Sequence, residues 1–414
     1  MIHQTPAALP IPGRHGRDIE AQRRSLAGLR KVIPVDPEPG AERWQDLGEA
    51  LMQGDPLLDD VVVWMMDVGY RSGKALYDQA ASEGIASIKD APPVLRAFFE
   101  HVENTPGWAD AARLDEGARC SALAGRMGNF ALRDVVLIGG YQLSAVNKTL
   151  LATGALKKNT AKRLMETTKW FLDCMALGGM AKHAPGYVST LQVRLIHGLV
   201  RRQVRRLDDW DVAADGLPIN QLDMHNTYLG HSVVYLIATR LLGVPYKADE
   251  AQAVMDLWRY VGWLMGVDER RLHETELEAI VALYQNSLSQ PGPDESGKIL
   301  AGAMVDEPLS IRHGRFPGLQ GRWTRAVHLS ISRGFLGKQG METLGLPNVL
   351  PWYPLLTGPA RFLSHKLIRL LPGGRDWLIR RGFRRQANEL RIRTGAVPPK
   401  QFAPHIQTAA AAQG

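Results

Sequence analysis

The sequence predicts an all-α protein, and three observations carry that expectation. Apolar residues recur at three- and four-residue spacing through long windows, the signature of helices with one buried face. Those windows open on proline, a short polar residue or an acid, and close on glycine, as helix ends require. No stretch alternates apolar and polar residues at period two for long enough to compete. GLRKV and DVVVWMM are too short, and there is neither a βαβ alternation nor an internal repeat.

Residues 1–40 are rich in Pro, Gly and Arg and are expected to form a loosely held arm. PPVLRAFFEHVEN begins on proline, whose missing N–H costs nothing at a helix start, and places Val94, Phe98 and Val102 on one stripe. NTAKRLMETTKWFLDCMALGG offers Asn159 or Thr160 as N-cap and stops at Gly178 and Gly179. In VSTLQVRLIHGLVRRQVRR, Val193, His197, Val200 and Val204 share a face, while Arg194, Arg201, Arg202, Arg205 and Arg206 crowd the rest. INQLDMHNTYLGHSVVYLIATRLLG ends at Gly243 ahead of Pro245. ADEAQAVMDLWRYVGWLMG has acids in its first turn and Gly266 at its end. A further helix is expected over roughly Glu269 to Leu288. The breaker QPGPDESG, residues 290–297, is the best candidate boundary. The expected organisation is therefore an arm over 1–40, a helical domain over 41–290, and a basic extension over 291–414 packed on or beside it.

An apolar content of 45% suffices for a large core. Two cysteines, Cys120 and Cys174, exclude a disulfide framework and any CxxC metal or haem-attachment site, and they fit a reducing compartment. The first residues lack an apolar core after a positive start, so no signal peptide and a cytoplasmic location are expected. The longest uncharged run, Thr343 to Ala360, contains Pro347, Pro351, Pro354 and Pro359, which predicts no spanning helix. The net charge of +8 is uneven: residues 301–414 hold 17 Lys and Arg against 5 acids, leaving 33 against 37 in the rest. In RFLSHKLIRLLPGGRDWLIRRGFRRQANELRIR, arginines mix with Phe, Leu, Ile and Trp. That pattern fits either helices docked on the body with arginines in water, or a face resting on an anionic membrane surface. No nucleic-acid-binding module accompanies the charge, so no nucleic-acid partner is expected.

The sequence has no GxGxxG opening a helix after a strand, and no GxxxxGK[ST], HExxH or GxSxG. His225 and His231, six apart, fall on different faces of a helix. His197 therefore stands out. A lone histidine on an apolar face is either a core residue with ring partners or a ligand aimed out of an apolar wall. Haem asks for the second, with guanidinium groups near its propionates, for which Arg194 and Arg201 are nearest. The stretch before it adds Arg163, Thr167, Trp170 and Cys174 at i, i+4, i+7 and i+11. A buried arginine there needs a partner, and Glu166 lies at i+3. The set is either a surface ion pair or the polar edge of a cofactor pocket.

The same residues carry a resemblance. RLMETTKW, GYVSTLQVRLIHGLVR and PINQLDMHNT, with GDPLLDD near residue 54 and PGWAD near residue 106, resemble the haem oxygenase superfamily of latex clearing proteins. That superfamily includes the mycophenolic-acid-pathway oxygenase, and the likeness spans roughly residues 45–290. It implies a globin-like helical core with added helices, non-covalent haem b, dioxygen as co-substrate and an oxidoreductase acting on a hydrophobic small molecule. Matched residue by residue, it makes His197 the iron ligand and places Arg163 and Thr167 on the distal side. Glu166 stands where rubber-cleaving members carry lysine, and Asn147 falls at or near the position of their acidic residue. Both departures point away from rubber itself and toward an intracellular isoprenoid or other lipid with a carbon–carbon double bond. Arg163 is expected to stabilise negative charge and Glu166 to relay a proton, with Thr167 beside them. Two other readings stand next to this one: a non-catalytic haem-binding or sensor protein, and a membrane-peripheral helical interaction protein without haem.

Overall fold

The computed structural model describes residues 10–152, 155–310 and 316–394, and among them every regular element is helical. The first helices are α1 (Ile19–Ser25), α2 (Ala27–Val32), α3 (Ala41–Glu49), α4 (Pro56–Asp67), α5 (Tyr70–Glu83), α6 (Pro93–Glu103) and α7 (Ala111–Ala122). The middle of the chain forms α8 (residues 126–140, with a π turn at Leu132–Leu137), α9 (Ser144–Ala152), α10 (Ala155–Cys174), α11 (Pro185–Val204) and α12 (residues 221–241, with a π turn at Gly230–Val234). The remainder is α13 (Ala248–Leu264), α14 (Glu276–Ser289), α15 (Glu295–Ser310), α16 (Pro317–Thr343), α17 (Trp352–Arg369) and α18 (Gly374–Thr394).

Local chemistry sets the helix starts. Asp55 caps α4 by accepting from the Leu58 N–H, with Pro56 at the first helical position; Asp110 and Asn220 cap α7 and α12 in the same way. Thr275 and Glu278 form a capping box, so α14 begins at Glu276, later than the expected Glu269. Conversely α10 begins at Ala155, which puts Asn159 and Thr160 inside the helix and not at its cap.

One large apolar core gathers α4, α6, α7, α10, α11, α12 and α13 around Phe98, Phe99, Phe171, Tyr235 and Trp258. A second cluster of Ile138, Tyr141, Leu164, Leu300, Met304 and Leu329 ties α8 and α10 to α15 and α16. Across the connection at 290, α15 packs against one side of α10. The arm expected over 1–40 is, in its described part, docked. The Gly13 and Arg14 N–H groups bond the Ala213 and Ala214 carbonyls, and buried Arg14 grips Asp223 with two bonds of 2.9 Å. A guanidinium out of water is stable only when paired in this way, so the contact fixes the arm. No described helix is long and apolar enough to cross a membrane.

Candidate functional site

The site is built on the seam between α10 and α11. The chain turns back after Cys174, and Tyr187 N–H bonds the Gly179 carbonyl at 3.0 Å. Gly186 lies so close to the Asp173 carbonyl that a Cβ there would come within 2.6 Å of it. One turn further on, Thr190 Oγ1 accepts from the Trp170 indole N–H at 3.1 Å and touches Cys174 Sγ at 3.4 Å. These bonds fix the antiparallel register. Two turns along α11 from Thr190 comes His197, and two turns back along α10 from Trp170 comes Arg163. Both lie roughly 10.5 Å along their helices from the same anchor, so they stand at one level of the seam, with Thr167 a turn nearer the anchor. Trp170 and Cys174, the C-terminal half of the face expected from spacing, thus meet α11.

His197 Nδ1 is buried without a hydrogen-bond partner. Burial above all, then the Arg201 charge, pushes the imidazole pKa down to about 4; Asp55 opposes this and Arg194 adds to it. The ring is therefore neutral at pH 7, the form that can donate a lone pair to a metal. Opposite it, half-buried Arg163 forms no ion pair with a described residue, and burial lowers its pKa, offset in part by Tyr141 and Glu166. Glu166 leans on Lys162 at 3.8 Å, so the surface pair between Arg163 and Glu166 does not form. Thr167 is half-buried beside them. Asn147 is fully buried; its Nδ2 donates to the Tyr141 carbonyl at 2.7 Å, which ties the start of α9 to the end of α8.

One turn either side of His197, α11 departs from the sequence reading. Arg194 and Arg201, expected on a solvent-facing surface near haem propionates, are buried more deeply than Val193 and Val200. Arg194 makes a bidentate pair with Asp55 at 2.7 and 2.9 Å, donates to the Leu264 carbonyl at 3.0 Å and lies over the Phe98 ring. Arg201 holds Asp59 at 2.6 Å and the Ile219 carbonyl at 2.9 Å. These bonds hold both guanidinium groups against protein acceptors. What they do is clamp α11 to α4. Gly266, at φ +90°, belongs to the clamp, since a Cβ there would meet Asp55 Oδ2 at 2.5 Å and Arg194 Nε at 2.7 Å. Gly198, next to His197, lets Leu58 and Val62 of α4 approach. Sequence reasoning missed Asp55 and Asp59 as positioning groups. The signal was there in GDPLLDD, with carboxylates at i and i+4 facing arginines at i and i+7, but nothing in the sequence pairs segments 139 residues apart.

Other candidates lie elsewhere. His225 is spent on His273 at 3.0 Å and Asn286 at 2.9 Å. His231 bonds the Thr227 carbonyl through Nδ1 at 2.8 Å, and the rings of Trp170, Phe171 and Trp258 close around it at 5.2 to 6.3 Å. Among the described residues no group of three or more His, Cys, Asp or Glu side chains could hold a metal ion. A cavity of about 300 Å³ opens beside Cys174 at the far end of the seam, but burial pushes that thiol up to about 12, which leaves it unreactive.

A family model described as ER-bound oxygenase mpaB/B'/rubber oxygenase, catalytic domain, matches residues 129–365. That span starts later than the expected likeness and runs through the connection at 290 into α17. The rubber oxygenase of Streptomyces sp. (strain K30) is 25% identical over 213 residues, 48% of this chain and 47% of that protein. The chain thus spans about half the length of that curated relative. The structure of the latex clearing protein in its closed state superposes with a TM-score of 0.65 at 20% identity, over 82% of this chain and 91% of that one. The helical architecture is shared.

Proposed function

This chain belongs to the ER-bound oxygenase mpaB/B'/rubber oxygenase family, and from that membership we propose that it is a haem b-dependent oxygenase. It acts with dioxygen on a hydrophobic small molecule inside the cell, an isoprenoid or other lipid with a carbon–carbon double bond. The observation that carries the reading is the seam: a neutral imidazole with an unpartnered nitrogen, at one level with an unpaired guanidinium on the facing helix. The residues fit haem, which would need a single protein ligand: His197 would hold it, and among the described residues no group of three or more metal-binding side chains offers an alternative. Haem, when bound, supplies the dioxygen chemistry.

The protein supplies geometry and charge. The α4 clamp fixes the rotation of α11 and so the direction of His197. Arg163 is a permanent cation in a partly dry wall, placed to stabilise negative charge developing on the distal side. Thr167 adds a hydroxyl that can donate a hydrogen bond, and Glu166, partly open to solvent, can take or pass on a proton at its carboxylate. Asn147 cannot act as a base because an amide does not accept a proton at neutral pH. Its presence supports a substrate other than rubber. It also favours a second reading, a haem-binding sensor without turnover, which stable oxygen binding with no product would identify.

The test is the visible absorption spectrum of the purified, haem-supplemented protein beside His197→Ala. A Soret band that shifts or vanishes in the variant supports haem and its ligand together. A folded wild type with no Soret band removes the oxygenase reading and returns His197 to the core.

A further inference from the structure

We propose that the outward face of α17, together with the start of α16 and the turn into α18, is a docking surface for an anionic lipid bilayer. The helix α17 is inside out. Leu355, Leu356, Phe362, Leu363, Leu367 and Leu370 are all exposed, Leu356 at 70% and Leu370 at 79%. At 100° per residue they fall within an arc of roughly 140°, one continuous face. Arg361, His365 and Arg369 point the other way, while Lys366 lies exposed among the leucines. Arg361 donates to the Leu242 carbonyl, His365 is buried, and Arg369 grips Glu250 at 2.9 and 3.0 Å. Gly358 packs on the backbone of Gly243. A helix that only faced water would be turned by half a revolution.

The leucine face does not stand alone. Trp323 on α16, 62% exposed, has its ring 5.3 Å from that of Trp352 at the start of α17, and Leu319 and Phe316 are exposed one and two turns before it. At the other end Leu371 and Trp377 are exposed around the turn into α18. Single exposed leucines are ordinary on a soluble protein; a contiguous set with tryptophans at its margins marks an interaction surface.

The charge pattern selects the occupant. Between Pro347 and Asn388 the chain carries eight Lys and Arg and a single acid, Asp376, which is held by Arg119. Lys366 lies over the Phe362 ring and Arg381 over Trp377, while Arg380, Arg384 and Arg385 are exposed. Leucines that enter the acyl boundary, tryptophans at headgroup depth and cations beside them match an anionic bilayer. The contact is peripheral, since no described helix can span. It needs no haem and stands independently of the oxygenase reading.

Flotation of the full chain with phosphatidylcholine vesicles, with and without phosphatidylserine, tests this. Binding should require phosphatidylserine and weaken as salt rises. The Leu363→Glu/Leu367→Glu variant should lower the bound fraction about tenfold or more with an unchanged melting temperature, because both side chains are exposed. A second variant, Arg380→Glu/Arg384→Glu, should lose the phosphatidylserine dependence and remain folded. Wild type that does not float overturns the proposal, as does equal binding by the leucine variant. So does a wild-type dimer in sedimentation that the leucine substitutions dissociate and vesicles do not compete with, since the occupant is then a second copy of this chain.

Discussion

Replacing Asp55 by alanine should be among the most damaging single changes outside the apolar core. Asp55 does two things at once. It caps α4, and it meets buried Arg194 with two bonds of 2.7 and 2.9 Å. Burial by itself would raise the carboxyl pKa, yet Arg194 outweighs it and holds the group below its ordinary value, so the pair is ionised. Removing the carboxylate leaves a guanidinium out of water with only the Leu264 carbonyl for company. Orphaning one partner of a buried pair costs about 3–5 kcal/mol, and losing a cap costs about 1 kcal/mol. The sum, about 4–6 kcal/mol, is a large part of the roughly 5–15 kcal/mol that holds a folded protein together. The double variant Asp55→Ala/Arg194→Leu removes the stranded charge and should recover at least about 1 kcal/mol of the loss. Urea unfolding of the three proteins followed by circular dichroism measures the midpoints. If Asp55→Ala sits within about 1 kcal/mol of wild type, or the double variant is no better than the single one, the clamp does not hold α11.

The other expectations follow from single features. Gly243→Ala introduces a Cβ at φ +92° against the Gly358 carbonyl, so α17 should loosen from the body, with faster proteolysis between Leu346 and Arg375; an unchanged digestion pattern refutes this. Stability should fall in acid, because burial pushes His231, His273 and His365 down to about 4 against an ordinary value of 6.5. The unfolded chain takes up protons below 6.5 and the folded one resists until near 4. Stability is therefore fully present above that window and is lost as pH falls through it, by up to about 1.4 kcal/mol per group and unit of depression. A melting temperature equal at about pH 7 and about pH 5 contradicts this. Arg163→Ala should keep the Soret band and lose oxygen reactivity by about 10²-fold or more; unchanged turnover rules out its role as a charge stabiliser.

Much of the fold was legible. Prolines at helix starts, acids in first turns and glycines at ends placed α6 and α13 to within a few residues, because those signals act within one turn of the chain, whereas the cap expected for α10 lies inside that helix. That Trp170 and Cys174 share a face of α10 was also legible, as a spacing. The start of α14 was not: the hydrophobic pattern extends back to Glu269, and only the capping box of Thr275 and Glu278 stops it.

What the sequence by itself determined is which residues share a face; which face turns inward was decided only by the tertiary structure. On α11 the valines looked like the buried side, yet Arg194 and Arg201 go deeper, since Asp55 and Asp59 from α4 supply the partners that make burial of a guanidinium tolerable. On α17 the pattern left open whether the leucines face the body or a membrane, and Leu242, Glu250 and the close approach at Gly243 reward turning Arg361 and Arg369 inward. Helical periodicity is a property of the chain's own repeat, whereas the partner of a buried charge lies more than a hundred residues away and is met only when the chain has folded.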